Sequence, residues 1–170
     1  NGTEATSTGQ QTQTVKIIDD DAPPTVTLTV GATSITETTG TTTNTTTATA
    51  TLSAVSGMAV TVNLTTSGTA FSNDFTLVGP ITIVAGATTT SIVLTAVDDS
   101  RDEDGTASGA NTVTTGETVI IDISTITHGT ETGVEQQTVK IIDNDAPPTV
   151  TMSVGTQTLN EETGTPTTTV

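Results

Sequence analysis

Short runs in which apolar residues alternate with threonine recur along the chain, separated by clusters of Gly, Asn, Asp or Ser. Such alternation is typical of a β-strand with one buried face, because successive side chains of a strand point to opposite sides of the sheet. Regular short strands with turn signals between them indicate an all-β fold, an antiparallel β-sandwich of about seven strands. The predicted strands cover residues 26–30, 46–52, 59–65, 81–83, 88–97, 118–126 and 136–142.

The apolar member of each alternation is the predicted core residue. In the run TTATATL at 46–52 that member is mostly alanine, which indicates a strand packed tightly against its neighbour. Apart from the alanines of this run, the core residues predicted in this way are Val26, Leu28, Val30, Ile35, Leu52, Val60, Val62, Leu64, Ile81, Ile83, Ile92, Leu94, Ala96, Val119, Ile121, Ile123, Val139 and Ile141.

One segment of the chain occurs twice. TVKIIDDDAPPTVTLTV at 14–30 returns as TVKIIDNDAPPTVTMSV at 138–154, with 14 of 17 positions identical and an offset of 124 residues. A period of this length suits one globular domain per repeat. The sequence therefore predicts the last strand of a preceding repeat at 1–21, a complete repeat at 22–145, and the first strand or strands of a following repeat at 146–170.

Composition narrows the possible partners. The net charge of −16 repels nucleic acid and anionic membrane surfaces, and the chain has two Phe and no Tyr or Trp on which bases could stack. No apolar run is long enough to cross a membrane, so we expect no membrane insertion. Threonine accounts for 49 of 170 residues, which favours strands. The expected partners are neighbouring identical repeats, in the same chain or in a polymer.

Acidic residues concentrate where predicted strands end. If those ends lie at one pole of a sandwich, seven carboxylates converge there and cannot all stay ionised without cations. A set of hard oxygen ligands without His or Cys selects Ca²⁺. The alternative is a solvated acidic face, which is the usual role of a single acidic run. The seven residues are Glu37, Asp74, Asp98, Asp99, Glu103, Asp143 and Asp145.

Four motifs in a fixed order carry a resemblance to a known family. They are I-x-E at 35–37, G-T-A-x-x-x-D-[FY] at 68–75, A-V-D-D-x-x-D-E at 96–103, and a closing I-I-D-[DN]-D. The ordered set resembles the Calx-β domain family, the immunoglobulin-like calcium-binding modules of sodium/calcium exchangers and of long cell-surface repeat proteins. The resemblance implies a seven-stranded sandwich with calcium at one end. The ligands that it implies are Glu37, Asp74, Asp98, Asp99, the backbone carbonyl of Arg101, the carboxylate of Glu103, and Asp143 with Asp145.

The chain departs from the family pattern at two places. Asn144 stands where the preceding copy has Asp20, which lowers the ligand charge by one. Residues 105–116 form an extra loop between the acidic run and the next strand, so Asp104 and Glu117 are weaker ligand candidates.

The leading functional hypothesis is a non-catalytic, calcium-binding structural repeat of a long extracellular or cell-surface protein, bacterial, with a role in adhesion or in a fibre. Calcium next to each Ala-Pro-Pro junction would stiffen the array, since paired prolines restrict the backbone. A filament subunit that polymerises by strand complementation is the alternative, and a regulatory calcium sensor is a third. We expect no enzyme, because the single His128 has no nucleophile partner in the sequence pattern and no serine has a general base.

Overall fold

The computed structural model describes residues 13–38, 44–103 and 116–155. Residues 105–115 of the predicted loop at 105–116, Asp104 and the outer parts of both flanking segments lie outside the described residues. In chain order the strands of the described residues are β1 Thr25–Val30, β2 Ser34–Thr36, β3 Thr45–Leu52, β4 Val60–Gly68, β5 Phe75–Leu77, β6 Ile81–Ile83, β7 Thr89–Ala96, β8 Glu117–Thr127, β9 Thr130–Glu131 and β10 Gln137–Ile142.

All seven predicted strands are present, and three short strands are added to them. The additions, β2, β5 and β9, are two or three residues long; β6 is equally short, but it has two buried isoleucines, whereas no addition has more than one buried residue. Among the described ranges, no helix is long and apolar enough to cross a membrane.

The strands form two five-stranded sheets, ordered β5-β7-β3-β1-β9 and β2-β10-β8-β4-β6. The predicted all-β sandwich is confirmed. Two edge pairs, β1 with β9 and β2 with β10, are parallel, whereas the expected sandwich was antiparallel throughout. The chain crosses between the sheets after β1: Gly31 still donates a backbone hydrogen bond to Thr47 of the first sheet, and Ser34 already pairs with Lys140 of the second.

Apolar side chains fill the space between the sheets. Ala48 and Ala50 of β3 are fully buried, as the alternation predicts, and the larger residues around them, such as Leu28 and Leu94, are at most 1% exposed. Val30, Leu64 and Ile92 belong to the predicted core but are only partly buried. Each fully buried Val, Leu or Ile contributes roughly 1.5–3 kcal/mol to folding, so the core is the main source of stability.

Threonine covers the outer face of the first sheet. On this face Thr49 of β3 lies opposite Ser91 of β7, and their hydroxyl oxygens are 2.8 Å apart. A β-branched residue fits a strand, and its hydroxyl stays solvated or bonds to a neighbour. The high threonine content therefore follows from a sandwich whose outer positions are almost all polar.

Five strand ends meet at one end of the sandwich, which we call the acidic pole. The end of β2 pairs with the end of β10 (Thr36 with Ile142), and the start of β8 lies beside them (Glu117 with Ile141). The end of β7 pairs with the start of β5. The acidic pole comprises Glu37, Asp74, residues 98–103, Glu117 and residues 143–145. The start of β1 and the ends of β3 and β8 lie at the opposite end, which we call the junction pole.

We predict that Gly68→Ala lowers the free energy of unfolding by about 2 kcal/mol or more. Gly68 ends β4 with a φ of 123°, and a Cβ atom there would lie 2.0 Å from the Thr118 carbonyl oxygen, which is backbone and cannot move away. Gly57→Ala is the control, because its Cβ would meet nothing within 4 Å, and it should change stability by less than about 0.5 kcal/mol. Equal urea midpoints for the two variants would contradict the predicted clash between a Cβ atom at position 68 and the Thr118 carbonyl.

Candidate metal centre

Glu37, Asp143 and Asp145 form the first carboxylate cluster of the acidic pole. One carboxylate oxygen from each residue lies within 4.8 Å of those of the other two. Glu37 follows β2, and its backbone N–H donates to the Ile142 carbonyl at 2.9 Å, which extends the β2–β10 pairing by one residue. Its side chain is only 1% exposed, so an acid is buried at the edge of the apolar core.

The carboxylate of Asp143 is fixed by two backbone donors. Its Oδ1 accepts a hydrogen bond from the Asp145 N–H at 2.7 Å, and its Oδ2 accepts one from the Glu103 N–H at 2.8 Å. The first bond is the turn that an Asp forms with the residue two positions later. The second joins the segment after β7 to the segment after β10. Asp143 therefore holds the two sheets together at this pole.

Asp74, Glu103 and Glu117 form the second carboxylate cluster, with the same 4.8 Å limit between ligand atoms. Asp74 is buried in a tight turn: its Oδ2 accepts from the Phe71 N–H at 2.5 Å, and its own N–H donates to the Phe71 carbonyl at 3.1 Å. The turn ends at β5, and the Asp74 carbonyl accepts from the Val97 N–H at 2.8 Å. Hydrogen bonds thus hold both the side chain and the backbone of Asp74 next to the end of β7.

Glu117 reaches the second cluster because β8 begins very close to β10. A Cβ atom on the preceding Gly116 would lie 2.4 Å from the Ile141 carbonyl oxygen, so only glycine allows this approach. The Glu103 side chain lies in the second cluster, while its backbone N–H binds Asp143 of the first. The two clusters are therefore adjacent parts of one centre.

Five buried carboxylate oxygens in this centre accept no hydrogen bond from any residue that the structure describes. Buried polar groups are normally hydrogen-bonded, and an unpaired buried charge costs several kcal/mol unless it is neutralised or bound to a cation. The oxygens of both clusters therefore favour a bound cation, although Glu103 Oε1 also lies 3.8 Å from Arg101 Nη1. The five atoms are Glu37 Oε2, Asp74 Oδ1, Glu103 Oε1, Glu117 Oε2 and Asp145 Oδ2.

Burial and mutual repulsion raise the pKa values of these acids. Burial, followed by the charges of Glu103 and Asp143, raises the pKa of Glu37 to about 8. Burial and the neighbouring Asp74 carboxyl raise the pKa of Glu117 to about 7. The pKa values of Glu103 and Asp145 are also raised, chiefly by burial. Without a cation, the centre therefore holds protons near neutral pH.

Asp98, Asp99 and Arg101, which the resemblance implies as ligands, lie beside the two clusters and belong to neither. Asp99 Oδ1 accepts from the Arg101 N–H at 2.7 Å, which forms another acidic turn. The Arg101 guanidinium is mostly exposed, and its Nη1 lies 3.8 Å from Glu103 Oε1. The charge of Asp99 still raises the pKa of Glu37, so the segment is close to the centre. A ligand role for the Arg101 carbonyl stays a prediction.

Asn144 has a structural role that the sequence did not indicate. Its side-chain Nδ2 donates to the Glu37 carbonyl and also to Asp98 Oδ1, at 3.2 Å from the latter. An aspartate at this position, such as Asp20 of the preceding copy, could not donate these bonds when ionised. The change from Asp to Asn thus joins the segment after β7 to the residue after β2 without adding charge.

Glu117, which is a weaker ligand candidate from the sequence, lies in the second cluster together with Asp74 and Glu103. The available signals were its position at the head of a strand and the glycine before it. The six cluster residues supply only carboxylate oxygens. His128, the sole histidine of the chain, belongs to the junction pole, where its Nδ1 lies 2.9 Å from the Ala59 carbonyl oxygen. The two clusters therefore have the ligand chemistry that could hold a hard cation.

No family model matches this chain, and no curated protein sequence matches it. The resemblance to the Calx-β domain family therefore stays a prediction, and the inference of function rests on the geometry of the acidic pole.

Proposed function

We propose that the chain is a non-catalytic, calcium-binding structural repeat that belongs to the Calx-β domain family. The observation that supports this proposal most is the set of five buried carboxylate oxygens, belonging to the residues of two adjacent clusters, that have no hydrogen-bond partner among the described residues. Each cluster offers three carboxylates, and nearby Asp98, Asp99 and backbone carbonyls offer further oxygens. We expect one calcium ion per cluster.

Calcium fits this centre better than other common cations. Zinc favours nitrogen and sulfur ligands, and the centre offers neither. Magnesium demands near-octahedral geometry and retains several waters, whereas calcium accepts six to eight oxygens in irregular arrangements. Two adjacent clusters, linked by the hydrogen bond from the Glu103 N–H to Asp143, suit a pair of flexible, oxygen-rich sites.

A structural role follows from what the centre connects. Its ligands come from the segments after β2, β7 and β10 and from the starts of β5 and β8, so bound ions would tie together five strand ends from both sheets. The Ala-Pro-Pro segment follows Asp145 directly, so ordering of the centre would also orient the chain that leaves it. Extracellular calcium modules bind at about 10⁻⁴ to 10⁻³ M, which suits a permanently filled site on a surface, adhesion or fibre protein.

A filament subunit is the second candidate, and the exposure of the flanking segments favours it. Val15 and Ile17 are 83% and 90% exposed, although their copies Val139 and Ile141 are core residues of β10. Such unpaired strand copies could complete the sheet of another chain. Sedimentation distinguishes the two candidates: oligomers that Ile17→Asp converts to monomers would favour strand complementation, and a monomeric wild type would favour the covalent array.

We expect saturating calcium to raise the Tm of the chain by roughly 5–10 °C per bound ion relative to the protein in chelator. At 10 mM Ca²⁺ and affinities of 10⁻⁴ to 10⁻³ M, linkage gives about 1.4–2.7 kcal/mol per ion. Calorimetric melting checks the shift, and titration calorimetry checks a stoichiometry of two. Magnesium at the same concentration is the control and should stabilise much less. Equal melting in calcium and in chelator would remove this mechanism.

Single neutralising substitutions should separate the two ions. Glu37→Gln and Glu117→Gln each remove a ligand from one cluster, so each variant should bind one calcium ion instead of two, or bind the second at least about tenfold more weakly. Asp122→Asn is the matched control, because Asp122 lies on β8, like Glu117, but pairs with Thr65 away from the centre. Unchanged stoichiometry and affinity in Glu117→Gln would show that Glu117 is not a ligand.

The calcium-free protein should lose stability as pH rises from about 5 to 8. Glu37 and Glu117 have folded-state pKa values of about 8 and 7, above the ordinary value of 4.5, so the folded state holds more protons than the unfolded state in this window. The stability is fully present below about 4.5 and is lost as pH passes the raised values. We predict that the Tm in chelator falls by several degrees between pH 5 and 8.

Two controls test the cause of this pH dependence. Glu37→Gln should flatten the decline and should make the calcium-free protein more stable than wild type at pH 8, because it removes a buried charge. Saturating calcium should also remove the decline, since the bound ions then compensate the ionised acids. A decline of the same size in the variant would assign it to other groups.

A further inference from the structure

The free edge of β1 is covered by a strand over only part of its length. β9 pairs with Thr25 and Val26, and the Thr132 N–H still donates to the Val26 carbonyl at 3.3 Å. Beyond this point the chain leaves the edge and crosses to β10 in the second sheet. Leu28 lies in the part of β1 that β9 does not reach. Its backbone N–H and carbonyl point away from β3, because the hydrogen-bonding direction alternates along a strand and the Thr25 carbonyl accepts from the Ser53 N–H on the β3 side.

Two side chains take the place of a neighbouring strand at Leu28. Glu135 Oε2 accepts a hydrogen bond from the Leu28 N–H at 3.1 Å, and Gln137 Nε2 donates one to the Leu28 carbonyl at 3.0 Å. The backbone donor and the backbone acceptor of one residue are thus both satisfied, as they would be by the backbone of a parallel strand such as β9. We call the side chains of Glu135 and Gln137 the edge cap.

The edge cap is held in place by the segment that carries it. The Glu135 N–H donates to Glu131 Oε1 at 2.8 Å, so the first cap residue is bonded to β9. Gln137 begins β10, and its backbone pairs with Ile121 of β8 in the second sheet. Its side chain therefore reaches from the second sheet to the edge of the first. Both cap residues are partly buried, whereas Gln136 between them is exposed.

The sequence of β1 explains why such a cap is useful. TVTLTV is a strand of high β-propensity without a charge or a proline, and segments of this composition pair readily with other strands when their edge is open. A charged side chain at the edge is a common protection, and the carboxylate of Glu135 supplies one at Leu28. Gln11 and Gln13 stand 124 positions before the cap residues, so the preceding copy also has an acceptor and a donor there.

We propose that Glu135 and Gln137 protect the edge of β1 against pairing with the same edge of a second copy. The cap occupies the N–H and the carbonyl of Leu28, which an antiparallel, two-fold pairing of β1 with β1 would need. The charge of Glu135 also repels the Glu135 of an approaching copy. In the proposed array, identical repeats are at high effective concentration, and wrong pairing between repeats is a characteristic failure of such proteins. This protection is independent of the acidic pole and of calcium.

The test compares three variants of the full chain with the wild type. The double variant Glu135→Ala and Gln137→Ala removes the cap, Glu135→Gln keeps an acceptor for the Leu28 N–H, and Gln136→Ala is the matched control. Hydrogen exchange of the Leu28 amide, followed by NMR, reports whether the cap is present. Sedimentation at increasing protein concentration reports self-association. The chain has no cysteine, so a spin label at Thr29→Cys, an exposed position of β1, locates the contact.

We expect the Leu28 amide to exchange about tenfold faster in the double variant than in the wild type, since a charge-assisted hydrogen bond is lost. The double variant should dimerise, with a short distance between the two labels at position 29. Glu135→Gln and Gln136→Ala should behave as the wild type. The single variants Glu135→Ala and Gln137→Ala each keep one cap bond and should show the same changes to a smaller extent. Association through the exposed segment at 13–18 would be common to all these proteins, so the comparison with the wild type removes it.

Two results would overturn the proposal. A double variant whose Leu28 amide exchanges faster, but which associates no more than the wild type or without a short distance between the labels, would show that the cap does not protect β1. Unchanged exchange of the Leu28 amide in the double variant would show that the cap bonds do not hold this edge. Neither result depends on calcium, so the proposed function is judged separately by the calcium titrations.

Discussion

The crowding of carboxylates at one end of the sandwich is the constraint on which the other features of this molecule depend. Six acids from distant parts of the chain lie in two adjacent clusters, and five of their oxygens are buried without a hydrogen-bond donor among the described residues. The centre resolves this repulsion either by holding protons, as the raised pKa of Glu37 indicates, or by binding cations. The local backbone holds the crowded carboxylates in place. Two backbone N–H groups donate to the Asp143 carboxylate, and Gly116 allows the start of β8 to lie close to β10.

The same constraint links the fold to the proposed array. The last ligand, Asp145, stands directly before Ala-Pro-Pro, and the copy of that motif at 19–24 leads into β1. A cation that orders residues 143–145 thus acts at the first residues of the connection. Most of the sandwich is stabilised by its apolar core, whereas the acidic pole is where stability depends on the solution. The proposed calcium response therefore belongs to the pole and not to the core.

The alternation of apolar and polar residues predicts most strands of the fold from the sequence, but it predicts only strands that are long enough or buried enough to show the pattern. Apolar residues at every second position marked seven strands and their inward faces, since a strand has a period of two. The short edge strands β2, β5 and β9 carry too few residues for a pattern. The grouping of the acids at one pole followed from their positions at strand ends. Their division into two clusters depends on which strand ends are neighbours, and this is set by pairings between residues far apart in sequence.

Glu117 and Asn144 illustrate what local patterns miss. Glu117 reaches the second cluster because of the register between β8 and β10 and because Gly116 has no side chain. Asn144 looked like the loss of a ligand, but its amide donates to both Glu37 and Asp98. In both cases the role of the residue depends on a partner from another strand end, which is 24 positions away for Glu117 and Ile141 and 107 positions away for Asn144 and Glu37.

The central claim is that calcium replaces protons at the acidic pole, and proton release on calcium binding tests it most directly. Titration calorimetry at pH 7 in buffers of different ionisation enthalpy measures that release. With pKa values of about 8 for Glu37 and about 7 for Glu117, the account predicts that saturation with calcium releases about one proton or slightly more per chain. Calcium binding without proton release, or no binding at millimolar calcium, would contradict it.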